Sequence, residues 1–302
     1  MFLIKKSTCV VVVTYNRKEL LKENISALVN QTCSIDKILV VNNCSTDGTD
    51  KLLNDLSKKY NNLEAYNMEK NIGGAGGFNQ GLKIAYASNC DYIWIMDDDT
   101  IPEPDALENL LGKVSLNELE NWSFLCSNVV WKDNKACLMN IPEVTHDWNY
   151  MLKFGLTKLK STSFVSLLIK RQDIEKVGYP ISQFFIWGDD VEYTKRLATL
   201  APGYLVTDSV VTHKMNQNCD VNIVSEEKSR VDRYFYEYRN KSYTSRKSGL
   251  SSYVNYLNYV IKSITKVIIR KNDSKIKKVK VILQGFIKGI FFNPKIEFPE
   301  DI

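Results

Sequence analysis

Nothing in this chain restricts its fold more than residues 92–100, Tyr-Ile-Trp-Ile-Met-Asp-Asp-Asp-Thr, where an apolar run stops in three consecutive acids. β-Branched and aromatic residues in such a run predict a buried strand, with the acids just past its carboxyl end. Three adjacent carboxylates repel one another, so a fold that keeps them needs compensating charge. A hard divalent cation supplies it, because it takes oxygen ligands and can also grip substrate phosphates. Pro102 and Pro104 follow and prevent the strand from continuing. A lone Asp-Asp-Asp is more simply a solvated acidic turn; the position after a buried strand, together with two further motifs, favours a site.

The residues before the acids alternate between two patterns. Cys9 to Thr14 reads as a fully buried parallel strand, and Arg17 to Asn30 carries Leu20, Leu21, Ile25 and Leu28 at helical spacing. Lys37 to Val41 is a second strand, Asn42 to Gly48 a polar turn, and Thr49 to Lys59 a second helix, capped by Asp47 or Thr49. Leu63 to Met68 predicts a third strand, followed by a glycine loop, Asn71 to Gly77, and a helix from about Phe78 to Ser88. Strand and helix in alternation predict a mostly parallel sheet flanked by helices, whose ligands lie outside the carboxyl ends of the strands. Polar residues collect there: Thr14-Tyr15-Asn16-Arg17, Asn42 to Asp47, the glycine loop and Asp97 to Asp99. The loop is not the Gly-x-Gly-x-x-Gly dinucleotide fingerprint and follows the third strand, which disfavours a Rossmann dehydrogenase. Its glycines let backbone approach a ligand, and a helix start beyond them suits an anion; a merely flexible turn explains the loop equally well.

Further on, Phe124 to Trp131 and Phe164 to Ile169 read as strands and Gln172 to Val177 as a helix, while residues 132–162 show no period. In Phe184 to Arg196 an aromatic run reaches Gly188, then Asp189 and Asp190 open a helix with Glu192 and Arg196 on one face. Acids at a helix start are favoured by its dipole, which explains one of the pair without any chemistry. Gly203 to Thr212 is a further strand ending at His213, one of two histidines.

The chain has 302 residues, 44% of them hydrophobic, enough for one catalytic-size domain and an appendage. Its net charge of +5 hides a split: residues 241–295 hold thirteen Lys or Arg against the single acid Asp273. There, apolar residues at helical spacing from Tyr253 to Ile268 and from Ile276 to Ile290 predict a basic amphipathic helical hairpin. Packing on the body, pairing with another subunit to give a homo-oligomer, and lying on an anionic membrane all fit it. Domain boundaries are thus expected at 1–240 and 241–302. The seven cysteines, odd in number and without a Cys-x-x-Cys pair, read as reduced thiols of a cytoplasmic protein. The N-terminal residues lead straight into a strand, leaving no signal peptide, and no apolar run is long enough to cross a bilayer.

Taken together, Val-Val-Thr-Tyr-Asn-Arg at 12–17, Val-Asn-Asn-Cys-Ser-Thr-Asp-Gly-Thr at 41–49, Asn-Ile-Gly-Gly-Ala-Gly-Gly-Phe at 71–78, Met-Asp-Asp-Asp at 96–99 and Trp-Gly-Asp-Asp-Val-Glu-Tyr at 187–193 resemble family-2 glycosyltransferases of the GT-A fold. The resemblance runs over residues 8–240 and is nearest to the galactofuranosyltransferase and rhamnosyltransferase branch. It implies an inverting enzyme that moves a sugar from a nucleoside diphosphate donor, UDP-galactofuranose first and dTDP-rhamnose as alternative. The acceptor is a glycan or lipid-linked glycan of bacterial cell-surface polysaccharide.

By the same resemblance, Asp97, Asp99 and His213 hold Mn2+ or Mg2+, which steadies the departing diphosphate. Asp97 and Asp99 also face the ribose side of the donor, Asp98 contacts the donor too, and Thr14, Tyr15, Asn16, Arg17, Asn42 and Asp47 face its base. Gly73, Gly74, Gly76 and Gly77 serve its phosphates. Asp190 corresponds to the base that deprotonates the acceptor, with Asp189 orienting it, and Trp187 and Glu192 contact the acceptor. Asn42 stands where many relatives carry Asp. A lipid-linked acceptor implies a peripheral enzyme on the inner face of the membrane. The competing class is a non-catalytic nucleotide-binding or scaffold protein, against which the retained acids argue. Nucleic acid is not expected, because the basic tail holds no recognisable binding module.

Overall fold

The computed structural model describes residues 6–119 and 121–301; the expectation placed on Met1 to Lys5 lies outside them. Strand β1 (Thr8–Thr14) is buried at every position. It is followed by α1 (Lys18–Val29), β2 (Lys37–Asn42), α2 (Thr49–Lys59), β3 (Leu63–Asn67), α3 (Gly73–Ala87) and β4 (Tyr92–Asp97). Then come β5 (Thr100–Pro102), α4 (Ala106–Val114), β6 (Phe124–Val130), β7 (Glu143–Val144), β8 (Leu156–Ser161), β9 (Leu167–Lys170), α5 (Arg171–Val177), α6 (Asp189–Leu197) and β10 (Gly203–His213). Three helices close the chain: α7 (Tyr234–Lys247), α8 (Leu250–Ile269) and α9 (Lys275–Phe291).

The strands form one mixed sheet in the order β3-β2-β1-β4-β9-β6-β10-β8-β7, with β5 on the side of β10. β1 to β4 pair in parallel, as do β6 and β10, while β9 runs antiparallel between β4 and β6. Alternate residues of β1 point to opposite faces, as strand geometry requires. Val10 and Val12 pack with Leu21, Ile25, Leu53 and Leu107 of α1, α2 and α4. Val11 and Val13 pack with Phe78, Leu82, Ile174 and Leu197 of α3, α5 and α6. The helix–sheet–helix layering expected from the sequence is therefore present, with the strand ends left open for polar residues.

Three expectations are corrected. The glycine segment is not a loop ahead of a helix, because α3 begins at Gly73 rather than near Phe78. The glycines let that helix lie against β1: a Cβ at Gly77 would come within 2.5 Å of Val13 Cγ1, and one at Gly81 within 2.4 Å of Val11 Cγ1. Residues 164–166, expected as strand, make a 3-10 turn, and the strand proper starts at Leu167. Cys9 and Cys90, expected as thiols, are joined as a disulfide with Cα atoms 5.8 Å apart. Pairing of β1 with β4 sets the turn that precedes β4, which holds Cys90, near the start of β1.

The chain divides into two compact units. The first holds residues up to Ser182, Asp190–Cys219 and the last residues from Ile296; the second holds Gln183–Asp189 and Asp220–Lys295. α7 runs through residue 240, where a boundary was expected. Within the second unit, Tyr234 and Tyr238 of α7 share a core with Tyr256, Val260 and Val267 of α8 and Val281 and Ile282 of α9. Within the first, Glu297 returns to the helical layer, where its carboxylate accepts from Lys83 and from Asn79 and its carbonyl accepts from the Tyr179 N–H at 2.8 Å.

Replacing Gly77 with alanine should cost about 1–3 kcal/mol of unfolding free energy, because the added methyl overpacks α3 against β1. Gly74, with nothing within 4 Å of its would-be Cβ, should tolerate alanine with a change below about 0.5 kcal/mol or a small gain. Urea unfolding of the two variants checks both values.

Candidate active site

The acids gather by strand register. β1 and β4 pair so that Val13 lies opposite Asp97, which sets the end of β4 beside the Thr14 to Arg17 turn. The chain then reverses at Asp98 and Asp99, and β5 pairs antiparallel with the end of β10, placing His213 opposite Thr100. His213, separated from the acids by more than a hundred residues, is thereby returned to them. Nε2 of His213 lies 3.1 Å from Asp99 Oδ1, and one ligand atom from each of Asp97, Asp99 and His213 falls within a 4.8 Å cluster.

The three carboxylates are handled differently. Asp98, 3% exposed, accepts from the Thr14 hydroxyl at 2.7 Å, the Tyr15 N–H at 3.3 Å and Arg17 at 3.3 Å. Burial nevertheless pushes its carboxyl up to about 7. Loss of hydration, then the neighbouring Asp99, pushes Asp97 up to about 6. For Asp99 burial acts in the same direction, but the hydrogen bond and charge of His213 and the charge of Arg17 outweigh it and hold the carboxyl low. Burial opposes charge on His213 too, yet its bonds to Asp99 and Cys137 and the charges of Asp99 and Asp97 bring it up to about 10.

Sequence reasoning missed the residue that orients this histidine. Asn140 Oδ1 lies 2.7 Å from His213 Nδ1, and its amide nitrogen donates to Ser163 Oγ at 2.9 Å. With Nδ1–H donated to Asn140, Nε2 is the ring atom left to face Asp97 and Asp99. Asn140 lies in the segment without period, where no sequence signal marks it.

The residue before Ser163 ties in the first turn of α6. Thr162 N–H donates to Thr194 Oγ1, and that hydroxyl donates to the carbonyl of Asp190 at 2.8 Å. Adjacent residues, Thr162 and Ser163, thus hold the first turn of α6 and the Asn140–His213 pair. Asp189 is buried and begins α6, and Asp190 Oδ1 accepts from the Val191 N–H at 2.7 Å. Glu192 accepts from Arg196 Nε at 2.8 and 3.0 Å, and Arg196 donates onward to the Val177 and Tyr179 carbonyls. Its carboxylate therefore serves a structural ion pair in this state.

In the second unit, Trp187 packs edge-on to Tyr234, with the Arg233 guanidinium 5.2 Å from its ring centroid. Phe185, Trp187 and Gly188 have φ of 65°, 65° and 85°, a region that L side chains seldom occupy. Asn240, 1% exposed, holds this turn by donating to the carbonyls of Phe184, Ile186 and Trp187.

Of the expected donor residues, Tyr15 is exposed, whereas Thr14 is spent on Asp98. Asn16, at φ 52°, accepts from the Thr46 N–H at 2.7 Å, and Asp47 accepts from the Lys18 N–H at 3.0 Å, so the first two strand ends are laced together. Asn42 is buried with its amide nitrogen on Asn67 Oδ1 and its oxygen accepting from Ser45 N–H. Asn43, unnoticed in the sequence, donates to the Gly73 carbonyl and accepts from the Ile72 N–H, which fixes the start of α3. Gly76 faces Ile72 and Gly77 faces Val13; Gly74 has open space beside it.

Residues 9–131 match the glycosyl transferase family 2 signature. Those residues are similar throughout to a family 2 glycosyltransferase domain. This is a family of inverting hexosyltransferases. The transferase is 27% identical over 259 residues to the galactofuranosyltransferase GlfT1 of Mycolicibacterium smegmatis, covering 80% of this chain and 84% of that one. Its fold superposes on S. aureus TarS 1–349 in complex with UDP with a TM-score of 0.61, at 16% identity over 94% of this chain and 81% of that one. GalNAc-T7 with UDP, GalNAc and Mn2+ superposes with a TM-score of 0.58 at 12% identity, over 80% of this chain and about half, 52%, of that one. The GT-A architecture expected from the sequence is thus confirmed.

The family 2 transferase has a donor set that fits a divalent ion: two carboxylates and an imidazole nitrogen, close together, with the far ring nitrogen held by Asn140. An oxygen-rich set with one imidazole suits Mn2+ or Mg2+. Replacing Asn140 with leucine should weaken Mn2+ binding about 10- to 100-fold, while aspartate, which keeps the acceptor, should retain it. Electron paramagnetic resonance of free Mn2+ gives the affinity without reference to turnover.

Proposed function

We propose that this family 2 transferase is metal-dependent and moves galactofuranose, with inversion, from UDP-galactofuranose to a glycan or lipid-linked glycan acceptor. The observation that carries the reading is the cluster of Asp97, Asp99 and His213 at the strand ends, with Asn140 on the far nitrogen of the imidazole. Similarity to a galactofuranosyltransferase supports the sugar, the UDP complex of TarS supports the nucleotide, and Mn2+ in the GalNAc-T7 structure supports the ion.

In this reading Asp97, Asp99 and His213 hold the ion, which when bound offsets negative charge on the departing diphosphate. Arg17, in contact with Asp98 and Asp99, steadies the carboxylates and offers a cation at the phosphate side. Tyr15, Asn16 and Asp47 receive the base, and the open side of Gly74 admits the donor near the start of α3. Asp190 accepts the proton of the acceptor hydroxyl as it attacks the anomeric carbon. Asp189 orients it, and Trp187 offers a ring face to the acceptor sugar. The helices of the second unit bring the enzyme to the inner surface of the membrane as a peripheral protein. No helix among the described residues is long and apolar enough to cross one.

A panel of nucleotide sugars, including UDP-galactofuranose and dTDP-rhamnose, offered with Mn2+ should release UDP from the galactofuranose donor, and release of dTDP alone would reassign the sugar. Chelation should abolish turnover and Mn2+ restore it. Asp190→Asn should keep donor affinity, by calorimetry, while transfer falls about 100- to 10,000-fold; turnover near the parent rate would remove Asp190 from its role.

A further inference from the structure

The second unit carries more apolar surface than its core uses. On α8, Leu250, Val254, Ile261 and Ile268 are all exposed, the first by 81% and Ile261 by 62%. Spacings of four and seven place them in one stripe, apart from the stripe of Tyr256, Val260, Ser263 and Val267 that packs inward. α9 repeats the arrangement: Ile276, Leu283, Ile287 and Ile290 are exposed along one line, and Lys278, Val281, Ile282 and Gly285 are buried. At ~100° per residue, Lys262 and Lys266 stand about a quarter turn or more from the middle of the first stripe, Lys288 likewise from the second, and Lys280 at the second stripe's edge. All four lysines are exposed, and among the described residues none of them has an acidic partner. Each helix therefore presents the same cross-section of buried stripe, bare apolar stripe and lysine edge.

We propose that these two stripes and their lysines form a docking face for an anionic lipid bilayer. Charge decides the occupant. Residues 241–295 carry thirteen Lys or Arg against one acid, so a second copy seated on this face would bring two basic rims together. A nucleic acid would satisfy the lysines but not the bare isoleucines. A bilayer with anionic headgroups takes both, with side chains such as Ile276 and Leu283 entering the acyl boundary and the lysines reaching headgroup phosphates. The proposal rests on the reading of a peripheral enzyme serving a lipid-carried acceptor.

The test uses the full chain. Sedimentation with vesicles of phosphatidylcholine, with and without phosphatidylglycerol, should show binding that requires the anionic lipid and weakens from ~0.05 to ~0.15 M salt. Reversing Lys262, Lys266, Lys280 and Lys288 to glutamate should lower vesicle affinity at least ~100-fold. Ile261→Ser with Leu283→Ser should also release the protein while leaving its melting temperature unchanged or higher. No binding to anionic vesicles, or binding indifferent to both variants, overturns the proposal. So does oligonucleotide binding as strong as vesicle binding, or a solution dimer that Ile261→Ser with Leu283→Ser dissociates. Transfer to a water-soluble acceptor, measured alongside, separates the two readings. Vesicle binding without transfer in any variant sinks the enzymatic reading and leaves the face, whereas transfer without vesicle binding does the reverse.

Discussion

Mutual repulsion of Asp97, Asp98 and Asp99 is the constraint around which the first unit is arranged. A parallel strand buried on both faces ends in these acids, and water is largely excluded from two of them. The fold answers with a different partner for each. Asp98 is turned into a hydrogen-bond anchor for the turn after β1, Asp99 is held charged by His213 and Arg17, and Asp97 is the carboxyl left at odds with its surroundings. The same triplet thereby serves two purposes. One member builds the scaffold, and the other two, with an imidazole delivered by β10, make a cluster short of positive charge, a deficit that a divalent ion remedies.

Much of this architecture was legible in the sequence because it follows from period. Unbroken valines made β1 recognisable, leucine spacing gave α1, and the polar–apolar alternation around Thr49 to Lys59 bounded α2 at the residues observed. Chemistry in the triple acid and in Trp-x-Asp-Asp-x-Glu marked the two strand- and helix-terminal clusters. The remainder was hidden because nothing local specifies it. Asn140 acts through residues 23 and 73 positions away, and Cys9 meets Cys90 only through strand pairing. The glycines of α3 misled for a physical reason: absence of a side chain signals close approach, and sequence does not say whether a ligand or a neighbouring strand is what approaches. Here Val11 and Val13 are what lie against Gly81 and Gly77.

The turn ahead of α6 shows how strain is held. Phe185 and Trp187 occupy left-handed backbone at a cost on the order of 1 kcal/mol or more each. One buried amide, that of Asn240, donates to the carbonyls of Phe184, Ile186 and Trp187, and Arg239 adds bonds to the carbonyls of Gln183 and Phe184. Directly after this turn come Asp189 and Asp190. The chain thus enters α6 from a turn whose backbone is held by buried side-chain amide and guanidinium donors.

The return of Glu297 to Lys83, Asn79 and Tyr179 makes the three-helix unit an internal excursion rather than a tail. Residues from Ile296 belong to the sheet-bearing unit, so an early stop codon before α8 would strip that unit of a closing segment as well as removing the helices. Engineering that aims to free the enzyme from its helices should therefore excise them as a loop, splicing across the gap and keeping residues from Ile296 onward.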